Sequence, residues 1–355
     1  MRLLDRYIGK AVLLSTAVVM LVLLSLFAFA TFVGELEGVG NGSYDATMAI
    51  QYSLLLMPGL AYQLFPVVVL LGSIIGLGSL ASQSELIVIR AAGVSIKRIV
   101  WAVMKAGLIL LVLMVVIGEF VAPKAEIKAQ SMRAEAMSGQ MISFRTERGL
   151  WARDGRNVVH VRDLFSKERL GNISIYEFDE QNRLTTMTTA KQAVFIDGQW
   201  SLSTVSTSVV GVAGVQTTRH TEMGWHSLLV PDLISVVTVK PDYLSVFGLY
   251  RYIGYLNDNG LDSTQYVLAI WKKLMLPVTT AVMIFLSVPF VFGSLRTVGV
   301  GQRIFVGTLF GIAYFLIDQT TGHMGVVWGL PPLLSVLVAP IAFLSVAIML
   351  VRRIY

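Results

Sequence analysis

Residues 11–34 read AVLLSTAVVMLVLLSLFAFATFVG, 24 consecutive positions without a charged side chain. At 1.5 Å per residue a helix of that length covers about 36 Å, enough to cross a hydrocarbon core of about 30 Å. A secretory leader would end its apolar run within about 15 residues at a small-residue cleavage site. The stretch therefore reads as a retained first span. Composition agrees: of 355 residues, 55% are hydrophobic and only 14% charged, more apolar surface than a water-soluble core of this size needs.

The same composition excludes several chemistries. With no cysteine, the chain has no disulfide, thiolate nucleophile or Cys-ligated metal. A net charge of +6 would point to nucleic acid only as a basic patch on a soluble face, and here the basic residues flank apolar runs. No phosphate-cradling GxxxxGK[ST] loop occurs, so ATP hydrolysis falls to another chain. His160, His220, His226 and His323 lack metal-ligand spacing and read as surface or structural residues.

Outward from the first span, Gly34 to Asp45 holds Glu35, Glu37 and Asp45 and no base. The next 39 positions, 46–84, are uncharged but carry Pro58 and Pro66. That is too long for one straight span, and the expectation is a short lead-in followed by a kinked span over about 56–80. A third span covers 99–121, with Lys105 near enough to its start to snorkel. Residues 124–241 then hold 14 Lys/Arg and 12 Asp/Glu, more than half of all the charges in about a third of the length. From Asn157 on, NVVHVRDL, GNISIYEF and AVFIDGQWSL alternate apolar and polar between the turn signals RDGRN, DEQNR and DG. TSVVGVAGVQTT looks like a further strand pair. This predicts a small antiparallel sandwich or open barrel.

After Pro241, DYLSVFGLYRYIGYLNDNG sets Leu244, Phe247, Tyr250 or Arg251, Ile253 and Leu256 near one face, with Asp242 at the start and Gly260 at the end. It predicts a capped amphipathic helix at the membrane surface. Further spans follow at about 271–293, 303–321 and 332–351. The predicted fold is an α-helical polytopic membrane protein with six spans, three and three, around an inserted all-β domain. Residues 1–123 hold spans one to three, 124–240 the β domain, and 241–355 the surface helix and spans four to six.

Charge bias orients the spans. Arg2, Arg6, Lys10, Arg90, Lys97, Arg98, Arg296, Arg303, Arg352 and Arg353 lie in loops of one side against only Asp5 and Glu85. The opposite short loops hold Glu35, Glu37, Asp45 and, at the end of the fifth span, Asp318, without Lys or Arg. The basic side is cytoplasmic, so both termini are inside and the β domain is outside. Asp318, near the outer end of an apolar helix, marks either a pathway or an interfacial position.

The cytoplasmic stretch ASQSELIVIRAAGVSIKR, 81–98, keeps helical chemistry from Glu85 to Ala92, starts after Ser82 and Ser84, and closes at Gly93. As an ordinary loop it would only fix orientation. As a two-turn helix with an acid, a base and a small Ala-Ala-Gly corner, it suits docking into a groove on a cytoplasmic partner. A secondary transporter fits poorly, because the spans hold almost no ionisable residue at mid-membrane.

LLDRYIGK, SELIVIRAAGVS, VAPKAE, GLWARDG, WKKLMLPV and FGSLR occur in this order over nearly the whole chain. With the three-β-three layout, they resemble the LptF/LptG family of lipopolysaccharide export permeases, LLDRYIG and GLWARDG leaning toward the LptG branch. The resemblance implies a non-catalytic half of an ABC transporter in the Gram-negative inner membrane. Such a half pairs with LptF and sits on a dimeric cytoplasmic ATPase, LptB, which binds ATP and Mg while this chain binds no cofactor. It extracts lipopolysaccharide from the outer leaflet and passes it to a periplasmic bridge of jellyroll-like domains that includes the bitopic LptC. Residues 84–93 match the family's coupling helix, with Glu85 facing the ATPase groove and Arg90, Ala91 and Gly93 at its corner.

The family's lumen, built from the first, second and fifth spans, points to Phe27, Thr31, Phe65, Val69, Phe310 and Tyr314 as acyl-chain contacts, with helix packing as the alternative. Where the family carries lysines suited to lipid A phosphates, this chain has Glu35 and Glu37. Arg133 is then the headgroup candidate, or an ordinary solvated arginine. In the β domain, Val159, Val161, Ile173, Ile175, Tyr176 and Phe195 would shield acyl chains in a groove if accessible, and form only a core if packed together. The competing function is a mechanotransmitting scaffold, worked by an ATPase without lipid passing between its spans.

Overall fold

The computed structural model describes residues 3–138, 150–166, 168–181, 183–196, 198–211, 214–225, 227, 241–292 and 299–352. Arg2, Arg296, Arg353 and His226, named above, lie outside them, as does most of FGSLR. Helix α1 (Leu3–Glu35) leads to α2 (Ala46–Ser82), the short α3 (Glu85–Ala91) and α4 (Ile96–Val116), which runs through a π-helical turn, Ile117–Val121, into α5 (Ala122–Ser138). Six strands follow: β1 (Leu150–Asp154), β2 (Asn157–Ser166), β3 (Arg169–Phe178), β4 (Leu184–Ile196), β5 (Gln199–Gly211) and β6 (Gly214–Trp225). Then come α6 (Val246–Asp258), α7 (Thr264–Phe292), α8 (Val300–Trp328) and α9 (Pro332–Arg352). Six helical stretches are long and apolar enough to cross a membrane, three on each side of the sheet in the chain. The chain forms two compact units.

The first unit comprises Met1–Ala30, Met57–Pro123 and Thr264–Tyr355. Lipid tails are as apolar as leucine, so packing between spans depends on close backbone approach. Gly72 and Gly76 on α2 supply it for α1. A Cβ on Gly72 would run into Thr16, and one on Gly76 would stand 2.9 Å from the Cα of Val12. Gly307 and Gly311 on α8 supply it on another side of α2, where added Cβ atoms would meet Ile74 and Val67. The α2 span is accordingly the most buried of the six. One core joins α1, α2, α3, α4 and α7 through Ile8, Val12, Leu77, Leu86, Ile99 and Ile284. A second joins α2, α7, α8 and α9 through Ile74, Met283, Phe290, Tyr314 and Phe343.

A Gly76→Leu substitution should therefore force α1 off α2, at a cost of roughly 1–3 kcal/mol for overpacking. Gly301→Leu, where nothing lies within 4 Å of the added Cβ, serves as the neutral control. Comparing the folded fraction of the two variants recovered in detergent checks this. Equal recovery would contradict the close packing.

The second span departs from expectation: α2 is one helix of 37 residues containing both Pro58 and Pro66, with no separate lead-in. Its start is set by Asp45, whose Oδ1 accepts the Met48 amide at 2.8 Å. Prolines stay inside spans when neighbouring helices satisfy the freed backbone groups, and the crowded surroundings of α2 fit that.

The second unit comprises Thr31–Leu56 and Lys124–Ser263. Its sheet is antiparallel throughout, in the order β1-β2-β3-β4-β5-β6. That sequential order is a meander; among the described residues no Greek-key crossing of the jellyroll kind occurs. A crease runs across it where Asn172 (φ 48) and Thr204 (φ 55) adopt left-handed backbone conformations inside β3 and β5. On one side of the crease Val159, Val161, Ile173, Ile175 and Val205 are buried; on the other, Leu170, Ala193, Trp200 and Leu202. Burial changes parity at this line, as it must when a strand's strict alternation is interrupted. Helix α6 docks on the β1–β2 turn: the Tyr255 hydroxyl donates to the Arg153 carbonyl at 2.7 Å, and the Gly155 amide donates to Asn259 Oδ1 at 2.8 Å. Its cap is Ser245, which accepts from the Gly248 amide, while Asp242 lies in the preceding 3-10 turn.

Candidate functional site

The expected coupling segment is a helix, α3, seven residues long. Its serine caps do not form: Ser84 is left-handed (φ 60) with no side-chain cap bond, and the Ser82 hydroxyl donates to the Ser79 carbonyl instead. The Ser84 carbonyl accepts the Ile87 and Val88 amides and so starts the helix. The C-terminal end follows expectation. Gly93 (φ +85) closes a Schellman motif, with the Val94 amide on the Ile89 carbonyl and the Gly93 amide on the Arg90 carbonyl. Leu86 roots the helix in the first core, with Ile89 packed against the same cluster. Ile87, Val88, Arg90, Ala91 and Gly93 remain exposed. A cavity of about 370 Å³ lined by Leu86, Ile87, Arg90, Ala91, Val291 and Phe292 opens beside it. Glu85, half-buried, accepts a 2.6 Å hydrogen bond from the Tyr7 hydroxyl. The corner is thus rigid at its root and apolar, with one base, on its free face.

The expected lumen positions separate. Phe27 is 39% exposed and Thr31 half-exposed on α1. Phe65 and Val69 are fully buried in the first core among α1, α2, α4 and α7, the helix-packing alternative for these two positions. Phe310 and Tyr314 belong to the second core, where Phe310 meets Phe290 and Phe343 edge to face and Tyr314 meets Phe343. Phe310 keeps part of its surface, and Tyr314 is 9% exposed.

In the β domain Val159, Val161, Ile173 and Ile175 are all buried to 3% exposure or less. Packed together, these four take the core alternative. Phe195, half-buried and edge-on to Trp200, and Tyr176, half-buried under the exposed Trp151, retain accessible surface.

Arg133 is not a freely solvated arginine. Its Nε donates to Glu35 Oε2 at 2.7 Å and its guanidinium lies 5.5 Å from the centre of the Tyr52 ring. Glu35 also accepts from the Tyr44 hydroxyl at 3.1 Å. Burial first, and the Glu35 carboxylate second, push the Tyr44 phenol up to about 12, so it stays a donor at any physiological pH. Glu35 is therefore committed to Arg133.

Asp318 is paired as well: its Oδ2 lies 3.5 Å from Lys272. The neighbouring Lys273, with a side chain 5% exposed, donates to Glu119 Oε1 at 2.9 Å and lies 4.9 Å from the Tyr62 ring centre. On α1, the buried Asp5 accepts from Arg98 at 3.3 Å and Lys105 at 2.9 Å. These pairings were not anticipated. Two adjacent lysines opening an apolar run were a signal that two acids must face them, but nothing local says which.

Six spans, three on each side of an inserted β domain in the chain, define a polytopic membrane protein. The profile of the family described as Lipopolysaccharide export system permease LptF/LptG matches residues 6–353. The chain is 38% identical over 356 residues to the Lipopolysaccharide export system permease protein LptG of Escherichia coli strain K12, covering 99% of this chain and 98% of that protein. It is 37% identical over 352 residues to the protein of the same name from Haemophilus influenzae, with the same coverage. The chain belongs to the LptF/LptG family of lipopolysaccharide export system permeases.

Proposed function

We propose that this chain is the permease half of an ATP-driven exporter that takes lipopolysaccharide from the outer leaflet of the inner membrane and hands it to a periplasmic bridge. Its partners are an LptF paralogue, the ATPase LptB, which holds ATP and Mg, and the bitopic LptC; this chain needs no cofactor. Both termini and α3 face the cytoplasm, where the short-loop arginines and lysines gather, and the sheet faces the periplasm. The observation that carries the reading is the α3 corner: an exposed face next to Arg90, fixed by Leu86 to a core shared by α1, α2, α4 and α7. Closure of an ATPase dimer on that face moves these helices together, because packed cores shift between discrete arrangements rather than deform. Acyl chains held against Phe27 and the free edge of Phe310 are then displaced outward, away from the cytoplasmic side. Arg133 is the headgroup position, by exchange with Glu35.

The burial of Phe65 and Val69 favours a second reading, in which the spans transmit motion without taking lipid between them. Photocrosslinkers at Phe27 and Phe195 in the reconstituted complex separate the two. Extraction predicts lipopolysaccharide adducts at Phe27 without ATP and at Phe195 with it. Adducts at Phe27 alone assign the bridge to the paralogue. None at either site, with ATPase activity intact, leaves only the mechanotransmitter.

A further inference from the structure

A second apolar cavity, of about 320 Å³, lies on helices that the lumen does not use. It is lined by Val100, Trp101 and Met104 of α4, Ala281, Val282 and Phe285 of α7, and Leu344 of α9, none of them charged. These are the third, fourth and sixth spans, whereas the acyl-chain positions lie on the first, second and fifth. The volume is at the small end of the range for small-molecule sites. It suits a length of acyl chain rather than a whole lipid.

Depth and charge identify the occupant. The α4 lining residues stand four to eight positions from the helix start at Ile96, about 6–12 Å along the axis. Leu344 stands eight positions before the end of α9, about 12 Å. The cavity is therefore at acyl-chain depth in the leaflet that meets the start of α4. At its rim, Lys97 precedes Val100, Trp101 and Met104 by three, four and seven residues, which puts it on the same helix face. Lys97 and, on α9, Arg352 are exposed. Among the described residues neither is in an ion pair, and no acid occurs on α4, on α9 or on α7. Trp101, 67% exposed, stands one turn deeper, where an indole anchors to headgroups.

We propose that this crevice binds an anionic phospholipid of the bilayer, with one acyl chain between Met104, Phe285 and Leu344 and the phosphate against Lys97 and Arg352. Basic rims between spans on the cytoplasmic side select such headgroups. The inference rests on the orientation proposed above only in naming the leaflet as cytoplasmic. It does not depend on what the exporter carries.

The test places a photocrosslinker at Met104 in the full complex, in nanodiscs with phosphatidylcholine in excess over phosphatidylglycerol, and weighs the adducts. The control position is Leu108, one turn on, 59% exposed and outside the crevice. At Met104 the phosphatidylglycerol share of adducts should exceed the bulk share by about fivefold for each basic residue at the rim. It should match bulk at Leu108. Lys97→Gln should remove about one fivefold step, and the additional Arg352→Gln the rest, with ATPase activity retained as the measure of an intact complex. A bulk ratio at Met104 in the unaltered chain would overturn the proposal, as would adducts there to lipopolysaccharide or to a partner's helix. None of those results bears on Phe27 and Phe195, so the export reading stands or falls separately.

Discussion

Methionine in place of Lys273 is expected to destabilise the folded chain by about 3–5 kcal/mol, the range seen when one member of a buried ion pair is removed. The ammonium does three things at once. It meets Glu119 at 2.9 Å, accepts company from the Tyr62 ring at 4.9 Å and donates to the Gly118 carbonyl at 3.4 Å. Glu119 and Gly118 both belong to the π-helical turn Ile117–Val121, whose widened hydrogen-bonding frees carbonyls for such a donor. Gly118 is required there because a Cβ would run into the Tyr62 ring. Adding Glu119→Gln to Lys273→Met should recover part of the loss, since the carboxylate is then no longer left without its ammonium. Lys272→Met is the internal control. Its pair with Asp318 is longer, 3.5 Å, and both side chains are a fifth exposed, so it should cost no more than about 1 kcal/mol. Titrating each variant with denaturing detergent in mixed micelles and following helix content measures the order. If Lys272→Met and Lys273→Met lose stability equally, the buried pair is not the fastening described.

What made these features legible or illegible follows from the range over which each signal acts. Length and a low density of charge suffice for a span, so all six were readable from long apolar runs even where Lys105, Lys272, Lys273 or Asp318 sits near an end, and period-two alternation marked the strands. Turn chemistry set the hairpins at Gly155 and Gly198, both left-handed as the DG pairs suggested. Pro58 and Pro66 misled, because a proline signals a break in water but not in a helix that neighbours enclose. The α3 helix was legible from its residues, its start at Glu85 included, but its cap was not. Serine can cap only from an extended conformation, and Ser84 is left-handed. The lumen and groove positions show the deeper limit. Periodicity marks Phe27, Phe65 and Val161 alike as apolar, and only tertiary packing decides which is covered. The same holds for Lys273 and Glu119, 154 residues apart, whose meeting no local pattern contains.

Reversing the charge at Glu85 should cut the amount of ATPase that co-purifies with this chain by about 30-fold or more, the equivalent of losing 2 kcal/mol at an interface charge. Glu85 opens α3 one residue before Leu86, the side chain that roots the helix, so a partner's cation at Glu85 acts on a point that cannot swing independently of the core. Tyr7 holds this acid in place. Its hydroxyl fixes Glu85 Oε2 at 2.6 Å, and Asp5, two residues earlier, is clamped by Arg98 and Lys105 of α4. The start of α1 therefore fastens both Glu85 of α3 and the α4 arm that follows it. Tyr7→Phe keeps the ring and removes only that hydrogen bond, so it should weaken co-purification by about tenfold, near the low end for an exposed hydrogen bond to a charged group. In a Glu85→Gln background, Tyr7→Phe should have little further effect, because the carboxylate it positions is already gone. If Glu85→Lys leaves both the bound ATPase and ATP-driven lipid release unchanged, the ATPase docks elsewhere. If Tyr7→Phe acts equally in both backgrounds, its role is packing and not the positioning of Glu85.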